Sequence, residues 1–132
     1  MDKLEYIPRD LVSVYVGIKK YIVEVIGTEN ENEVLSYQIK FPNGEIQYAD
    51  KDNIVLIPLT PEILEKNGWK EDGKWYKLTT KRAYLYITKD TKSNDEFLVC
   101  AGADKHNLAS VSFVHELQHL LFGLCIKHEI EV

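Results

Sequence analysis

Residues 110–125 read SVSFVHELQHLLFGLC and carry the strongest helical pattern in the chain. At about 3.6 residues per turn, the apolar side chains gather on one face that covers roughly a third of the circumference. These apolar side chains are Phe113, Val114, Leu117, Leu120, Leu121 and Leu124. The pattern predicts a long amphipathic helix over residues 110–124, with Asn107 or Ser110 as its N-cap, that covers a sheet.

The opposite face of this predicted helix carries His115, Glu116 and His119 in the spacing H-E-x-x-H. Two histidines one turn apart can hold zinc, and the glutamate can activate a zinc-bound water. A catalytic zinc also needs a third protein ligand, for which His128, Glu129 and Glu131 are the candidates. The sequence leaves three hypotheses open: a zinc hydrolase with Glu116 as catalytic base, an adventitious or structural metal, or the metal-free, solvated side of a packed helix. It favours the metal-free side of a packed helix, because the extended motif would need glycine at 122 and histidine at 125, where this chain has phenylalanine and cysteine.

Composition and charge limit the class of protein. With 132 residues, 45% of them hydrophobic, we expect one compact unit or two small subdomains. The formal charge of −5 disfavours extended nucleic acid, which needs clustered lysine and arginine, but permits a small nucleotide in a local pocket. No apolar stretch reaches the roughly 18–20 residues of a membrane span, so no membrane partner is predicted. The chain starts without a signal-peptide pattern and its two cysteines read as reduced thiols, so a cytoplasmic location is expected.

Residues 1–57 have the pattern of a small β-barrel-like half. Short β-branched or alternating runs are separated by turn signals, as expected for strands. The predicted strands cover residues 12–16, 20–26, 34–41, 46–49 and 54–57, with a polar loop at 27–33. Asn43-Gly44 supplies what a tight hairpin with positive φ requires. Five short strands of this kind predict a strongly bent, SH3-like barrel.

Residues 58–132 predict the order α-βββ-α-β. Thr60-Pro61-Glu62 marks a helix start, and Asn67-Gly68 ends that helix after about two turns. Asp72-Gly73 predicts a hairpin turn. The predicted strands cover residues 75–78, 83–87, 97–101 and, after the long helix, 126–132. The fold class is therefore α+β, with an SH3-like half followed by an antiparallel sheet under one long C-terminal helix.

Two segments resemble a known family. IPLTPEILEKNGW at residues 57–69, continuing through Lys77, resembles the middle of a large set of small uncharacterised proteins from gut Bacteroidales and their phages and mobile elements. VHELQHL at residues 114–120 resembles the C-terminal helix of that family. There the position of His119 is commonly asparagine, a poor zinc ligand, so the resemblance implies that H-E-x-x-H arose here on a helix kept for packing. It implies no known enzymatic activity and a phage or mobile-element setting.

A second group of candidate residues combines aromatic and basic side chains. The alternation of residues 83–87 puts Tyr84 and Tyr86 on one strand face, where aromatic rings either pack across strands or stack on nucleobases. Residues 102–107, directly before the predicted helix, offer backbone N–H groups and two basic side chains to a phosphate. The candidate ligand-binding residues are Trp75, Tyr84, Tyr86, Lys105 and His106.

These observations predict a non-catalytic, cofactor-free binding protein of phage or mobile-element origin. The most specific form of this prediction is a counter-defence function, in which the protein sequesters a small (cyclic) nucleotide signal of the host. A zinc metallopeptidase with His115 and His119 as metal ligands and a protein–protein adaptor that binds a host protein through residues 1–57 are the alternatives. A homo-oligomer is also expected to be feasible, since small sheets leave edges that need cover.

Overall fold

The computed structural model describes residues 6, 8–31, 34–81, 84–89 and 96–132. The chain divides into two compact units, Met1–Ile57 and Pro58–Val132. Each unit contains a five-stranded sheet in which all neighbouring strands are antiparallel. Two α-helices, both in the second unit, complete the described structure, so the predicted α+β class is confirmed.

The sheet of the first unit has the strand order β4-β3-β2-β1-β5. Its strands are β1 (Leu11–Val16), β2 (Lys19–Glu31), β3 (Val34–Lys40), β4 (Ile46–Asp50) and β5 (Ile54–Val55), with a 3-10 turn at Lys51–Asn53. One face is buried because apolar residues alternate along the strands. The buried cluster consists of Tyr6, Val12, Val14, Val23, Val25, Tyr37, Ile39, Phe41 and Ala49. The predicted turn at Asn43-Gly44 is confirmed, with Gly44 at φ 90° between β3 and β4.

One prediction for this unit needs correction. The polar residues 27–31 are not a loop but continue β2 to Glu31, because they pair with β3, for example Glu29 with Ser36. A register shift between Val25 and Gly27 accommodates this extension. Closure into an SH3-like barrel is not observed within the described residues, where β4 and β5 are the two edges of an open sheet.

The sheet of the second unit is a meander with the order β10-β9-β8-β7-β6. The elements are α1 (Pro61–Lys66), β6 (Lys70–Asp72), β7 (Trp75–Thr79), β8 (Tyr84–Thr88), β9 (Phe97–Ala101), β10 (His106–Val111) and α2 (Val114–Gly123). The pairing of Asp72 with Trp75 confirms the turn predicted at Asp72-Gly73. The buried apolar side chains of this unit include Ile63, Leu64, Trp69, Leu85, Ile87, Phe97, Val99, Val111, Val114, Leu117 and Leu121.

The helix α1 begins and ends as its sequence predicts. The Oγ1 atom of its N-cap, Thr60, accepts a hydrogen bond from the backbone N–H of Ile63 at 3.3 Å. At the other end, the amide of Asn67 donates to the carbonyl of Glu131 at 2.7 Å and accepts from its N–H at 2.8 Å. The strand predicted for residues 126–132 is not formed. This segment is held instead by the Asn67 amide and by the amide of Gln118, which donates to the carbonyl of His128 at 3.1 Å.

The helix α2 is shorter than predicted, because residues 110–113 are not helical. It begins at Val114, with Phe113 as its N-cap, rather than after Asn107 or Ser110. Ser110 belongs to β10, where it pairs with Leu98 of β9. Strand pairing thus outweighs the helical periodicity of the sequence at this point.

The C-terminal end of α2 is formed by a residue in the left-handed conformation. Cys125 has a φ of 59°, and the N–H of Ile126 donates to the carbonyl of Leu121 at 2.9 Å. Glycine is the usual residue at such a position. Neither helix in the described part of the chain is long and apolar enough to cross a bilayer.

Candidate functional site

The strand register of the second sheet places three of the predicted ligand-binding residues on a common face. Residues directly opposite each other on paired strands point to the same side of a sheet. Tyr86 lies opposite Lys77, and Trp75 and Tyr84 are two positions from this pair along β7 and β8. Trp75, Tyr84 and Tyr86 therefore share one face with Lys77.

Lys105 reaches the same face from the turn between β9 and β10. Its Nζ atom lies 4.6 Å from the ring centroid of Tyr86 and 5.7 Å from that of Trp75. The two rings meet edge to face, with centroids 6.2 Å apart and an interplanar angle of 83°. Both ammonium–ring distances fall within the roughly 6 Å range of cation–π attraction. The structure thus brings Trp75, Tyr86 and Lys105 together.

A second lysine, Lys77, makes similar contacts from β7. Its Nζ lies 4.3 Å from the ring centroid of Tyr84 and 5.7 Å from that of Tyr86. Sequence reasoning missed Lys77, although the alternation along β7 places it on the same face as Trp75. We call Trp75, Lys77, Tyr84, Tyr86 and Lys105 the basic–aromatic cluster.

The backbone of Lys105 is held in an unusual conformation. Its φ is 52°, and its N–H donates to the carbonyl of Gly102 at 3.0 Å. The left-handed region costs a residue with a Cβ atom about 1–2 kcal/mol. Such residues persist where the surrounding structure fixes them, and they are concentrated at functional sites. The turn therefore holds this lysine over the rings at a cost that glycine would avoid.

The rings of the cluster differ in their access to solvent. Tyr84 is 47% exposed and Trp75 is half-buried, whereas Tyr86 is only 7% exposed. A nucleobase can stack only on a ring that solvent reaches. Tyr84 and Trp75 are therefore the rings available for stacking, and Tyr86 supports the two ammonium groups.

His106 lies beside a carboxylate instead of the rings. Its Nε2 atom is 2.8 Å from Oδ2 of Asp104, and both side chains are largely exposed. The helix N-terminus predicted next to Lys105 and His106 is absent, because residues 102–105 form the turn that leads into β10. Any phosphate bound here would therefore depend on side chains rather than on a helix dipole.

Cys100 is a buried residue beside the cluster. It lies opposite Tyr86 on β9, and its Sγ donates to Oδ1 of Asn107 at 3.3 Å. Burial raises the pKa of the Cys100 thiol above its ordinary value, and the Lys105 ammonium offsets part of this rise. The thiol is thus favoured in its neutral form.

On α2, Glu116 takes part in hydrogen bonding at the start of its own helix. Its Oε1 atom accepts from the backbone N–H groups of Ser112 and Phe113, each at 3.0 Å. Backbone N–H groups at a helix start lack partners within the helix, and a glutamate at the third position commonly accepts from them. A catalytic base needs an oxygen directed at water or substrate, whereas this oxygen is engaged with the backbone.

His115 and His119 lie one turn apart on α2, as their spacing predicts. Their ring centroids are 5.5 Å apart at an interplanar angle of 84°. His115 is buried with its ring stacked on Phe113, so the expected solvated position is wrong for this residue. Among the described residues, no three His, Cys, Asp or Glu side chains are grouped so that they could hold a metal ion. His128, a candidate third ligand, packs its ring against Phe122 with centroids 5.1 Å apart.

In comparisons of this chain with family models, curated proteins and solved structures, no match was found.

Proposed function

We propose that this chain is a non-catalytic binding protein of phage or mobile-element origin that sequesters a small nucleotide, such as a cyclic nucleotide signal of host defence. The basic–aromatic cluster is the binding site in this proposal. The observation that carries it is the position of two ammonium groups over adjacent rings, 4.3 Å from Tyr84 for Lys77 and 4.6 Å from Tyr86 for Lys105. The resemblance of residues 57–77 and 114–120 to mobile-element proteins supports the setting, with the host cytosol as the expected compartment.

The chemistry of the cluster suits a ligand that has both a phosphate and a base. An ammonium over an exposed ring gains only about 0.5–1 kcal/mol. A phosphate oxygen offers the same ammonium a stronger, charge-assisted hydrogen bond. Lys77 and Lys105 can therefore turn from the rings to a phosphate at small cost. A base that stacks on Tyr84 or Trp75 would add about 1–3 kcal/mol.

His106 has a secondary role in this proposal. Its exposed contact with Asp104 is worth at most about 1 kcal/mol, so a phosphate can compete for the imidazole. Binding without turnover is supported by the surroundings of Glu116, whose Oε1 atom accepts two backbone hydrogen bonds at 3.0 Å.

Isothermal titration calorimetry with a panel of cyclic mono- and dinucleotides tests this function. Trp75 fluorescence gives a second signal, because the Lys105 ammonium lies 5.7 Å from its ring. Lys105→Gln should weaken binding about tenfold or more, as expected for loss of a charged hydrogen bond. Lys127→Gln, at an exposed lysine of the C-terminal segment, is the matched control and should bind normally. Absence of heat and of a melting shift with every nucleotide would refute the proposal.

A protein–protein adaptor is the second candidate, because the first unit exposes several large apolar side chains. These are Tyr15, Val16, Ile18, Ile22, Ile46 and Tyr48. The strand order β4-β3-β2-β1-β5, with a 3-10 turn before β5, supports an SH3-like arrangement for this unit. Light scattering over a range of concentrations would separate a homo-oligomer from a monomer that awaits a host protein.

The zinc metallopeptidase is the remaining alternative, and metal analysis decides it. Near-stoichiometric zinc in the purified protein, with casein cleavage that is lost in Glu116→Gln, would replace nucleotide binding as the function. We expect a metal-free protein whose melting temperature does not change in chelator.

A further inference from the structure

The turn between β1 and β2 carries apolar side chains where a hairpin usually has polar ones. Val16 pairs with Lys19, which leaves Gly17 and Ile18 as a two-residue loop with Gly17 at φ 66°. Asn, Asp, Gly and Ser are the usual companions of glycine in such loops. Ile18 is instead fully exposed, and Val16 is 51% exposed. These two side chains add little burial to the fold, so they are available to an external apolar partner.

The residues behind this apex combine cations with apolar and aromatic side chains. Val16 lies opposite Lys19, and Tyr15 lies opposite Lys20, so each lysine shares its level of the hairpin with one of these side chains. The Nζ atom of Lys19 is 5.2 Å from the ring centroid of Tyr21, so the ammonium is turned back from the apex. At about 3.3 Å per residue, the two lysines lie roughly 3 and 7 Å behind the apex along the hairpin. The tip thus has an aliphatic apex with two cations directly behind it.

We propose that the β1–β2 tip inserts into the surface of a bilayer that contains anionic lipids. Val16 and Ile18 would reach the boundary of the acyl chains, which peripheral elements enter to a depth of about 5–10 Å. The two lysines would meet lipid phosphates, and the tyrosines would lie at the level of the headgroups. Lys19 already has the backward direction that a snorkelling lysine adopts. This contact is peripheral and requires no membrane-spanning segment.

Charge favours an acidic surface as the partner of this tip. The chain carries a formal charge of −5, yet residues 15–21, YVGIKKY, contain two lysines and no acid. Repulsion from acidic groups elsewhere on the chain is screened beyond about 8 Å at physiological salt. The two nearby lysines therefore dominate the electrostatic interaction between the tip and a charged surface.

The aliphatic apex also distinguishes lipid from other acidic partners. A nucleic acid would use the lysines and stack on aromatic rings, which would leave Ile18 and Val16 exposed to water. A protein pocket could enclose the apex, but it would not require a cation at each of the next two levels of the hairpin. Insertion into an acidic lipid surface uses the aliphatic apex and both lysines at once.

Flotation of the full chain with vesicles tests the proposal. The vesicles contain phosphatidylcholine alone or with about 30% phosphatidylserine, in about 50 mM or about 500 mM salt. We expect binding to acidic vesicles at low salt, and binding at least about tenfold weaker to neutral vesicles. Ile18→Asp should lose about tenfold or more, and Lys19→Gln and Lys20→Gln about fivefold each.

Two matched variants separate the tip from the rest of the surface. Leu108→Asp changes an exposed aliphatic residue of β10, and the double variant Lys70→Gln/Lys127→Gln removes two exposed lysines of the second unit. Both should float like the unaltered chain. Melting temperatures should stay unchanged in all variants, because each altered side chain is exposed.

Ile18→Trp provides a direct readout of insertion. Its emission should shift to the blue with acidic vesicles, after subtraction of the signal from Trp69 and Trp75 in the second unit. An unaltered chain that does not float with acidic vesicles would overturn the proposal and leave a protein pocket as the partner for the apex. Equal binding of Ile18→Asp, or equal binding to neutral vesicles, would also overturn it.

Discussion

The H-E-x-x-H face of α2 and the basic–aromatic cluster both offer functional side chains, but these side chains make different kinds of contact. On α2, Oε1 of Glu116 accepts two backbone hydrogen bonds, and the ring of His115 is buried against Phe113. In the cluster, the ammonium groups of Lys77 and Lys105 lie over aromatic rings. A bond to backbone at a helix start is needed for the fold, whereas a ring contact can be exchanged for a ligand at small cost.

This difference shows what a motif can and cannot establish. The spacing of His115, Glu116 and His119 correctly predicts that the histidines meet, yet it carries no information about which atoms the fold itself uses. A site requires polar groups whose present partners can be replaced. By that criterion the cluster is the better candidate.

The largest expected effect tests whether α2 is held by its apolar side. Leu117 is buried, so Leu117→Ala should destabilise the second unit by about 3 kcal/mol through lost burial and a cavity. Phe122 on the same helix is exposed, and Phe122→Ala should cost no more than about 0.5 kcal/mol. Urea denaturation followed by tryptophan fluorescence gives both values. Similar losses for the two variants would mean that burial of Leu117 does not dominate the packing of α2.

The next effect tests the structural role of Glu116. Glu116→Ala should cost about 1–2 kcal/mol, because the N–H groups of Ser112 and Phe113 lose their acceptor. Glu116→Gln should retain most of this stability, since an amide oxygen also accepts at this position. Thermal melts with and without chelator measure the change. If chelator lowers the melting temperature of the unaltered protein, the metal-site hypothesis would again be favoured.

A smaller effect compares the two left-handed residues of the second unit. Cys125→Gly should stabilise the protein by up to about 1 kcal/mol, because glycine adopts the φ of 59° without a steric cost. Lys105→Gly should gain less, since it also loses ring contacts worth about 0.5–1 kcal/mol. The difference between the two unfolding free energies measures those contacts. An equal gain would show that Lys105 adds nothing to stability through the rings.

The smallest effect on stability should come from Lys77→Gln. Its ammonium contacts the half-exposed ring of Tyr84, so the loss should be about 0.5 kcal/mol or less. The same variant should bind a nucleotide about tenfold more weakly than the unaltered chain, if Lys77 meets the phosphate. Chemical denaturation gives the change in stability, and nucleotide titration of the same preparation gives the change in affinity. A large stability loss without a change in affinity would make Lys77 a structural residue.

The parts of the fold that short-range chemistry determines could be predicted from the sequence. Asn43-Gly44 and Asp72-Gly73 specify their turns, and Thr60-Pro61 specifies the start of α1. Long-range pairing decided the rest. Residues 106–111 become β10 because β9 lies beside them, and residues 27–31 extend β2 because β3 does. The C-terminal segment depends on the amide of Asn67, a contact across 64 positions that no periodicity reveals.

The candidate site was partly predictable for the same reason. Alternation groups Tyr84 with Tyr86, and Trp75 with Lys77, but only the strand register joins the two pairs on one face. The position of Lys105 over the rings depends on the left-handed backbone conformation of Lys105 itself, which residues with a Cβ atom rarely adopt. Burial of Tyr86 likewise depends on the packed structure, since nothing in the strand pattern separates it from the more exposed Tyr84.

Both tryptophans of the chain, Trp69 and Trp75, belong to the second unit, whereas the first unit contains only tyrosine and phenylalanine as aromatic residues. Tryptophan emission therefore follows the unfolding of one unit, while far-ultraviolet circular dichroism follows the strands of both. Coincident transitions would reveal one cooperative system, and staggered transitions would reveal two autonomous modules. In the second case, recombination between genes could join the first unit, with its β1–β2 tip, to other proteins while the second unit keeps its fold.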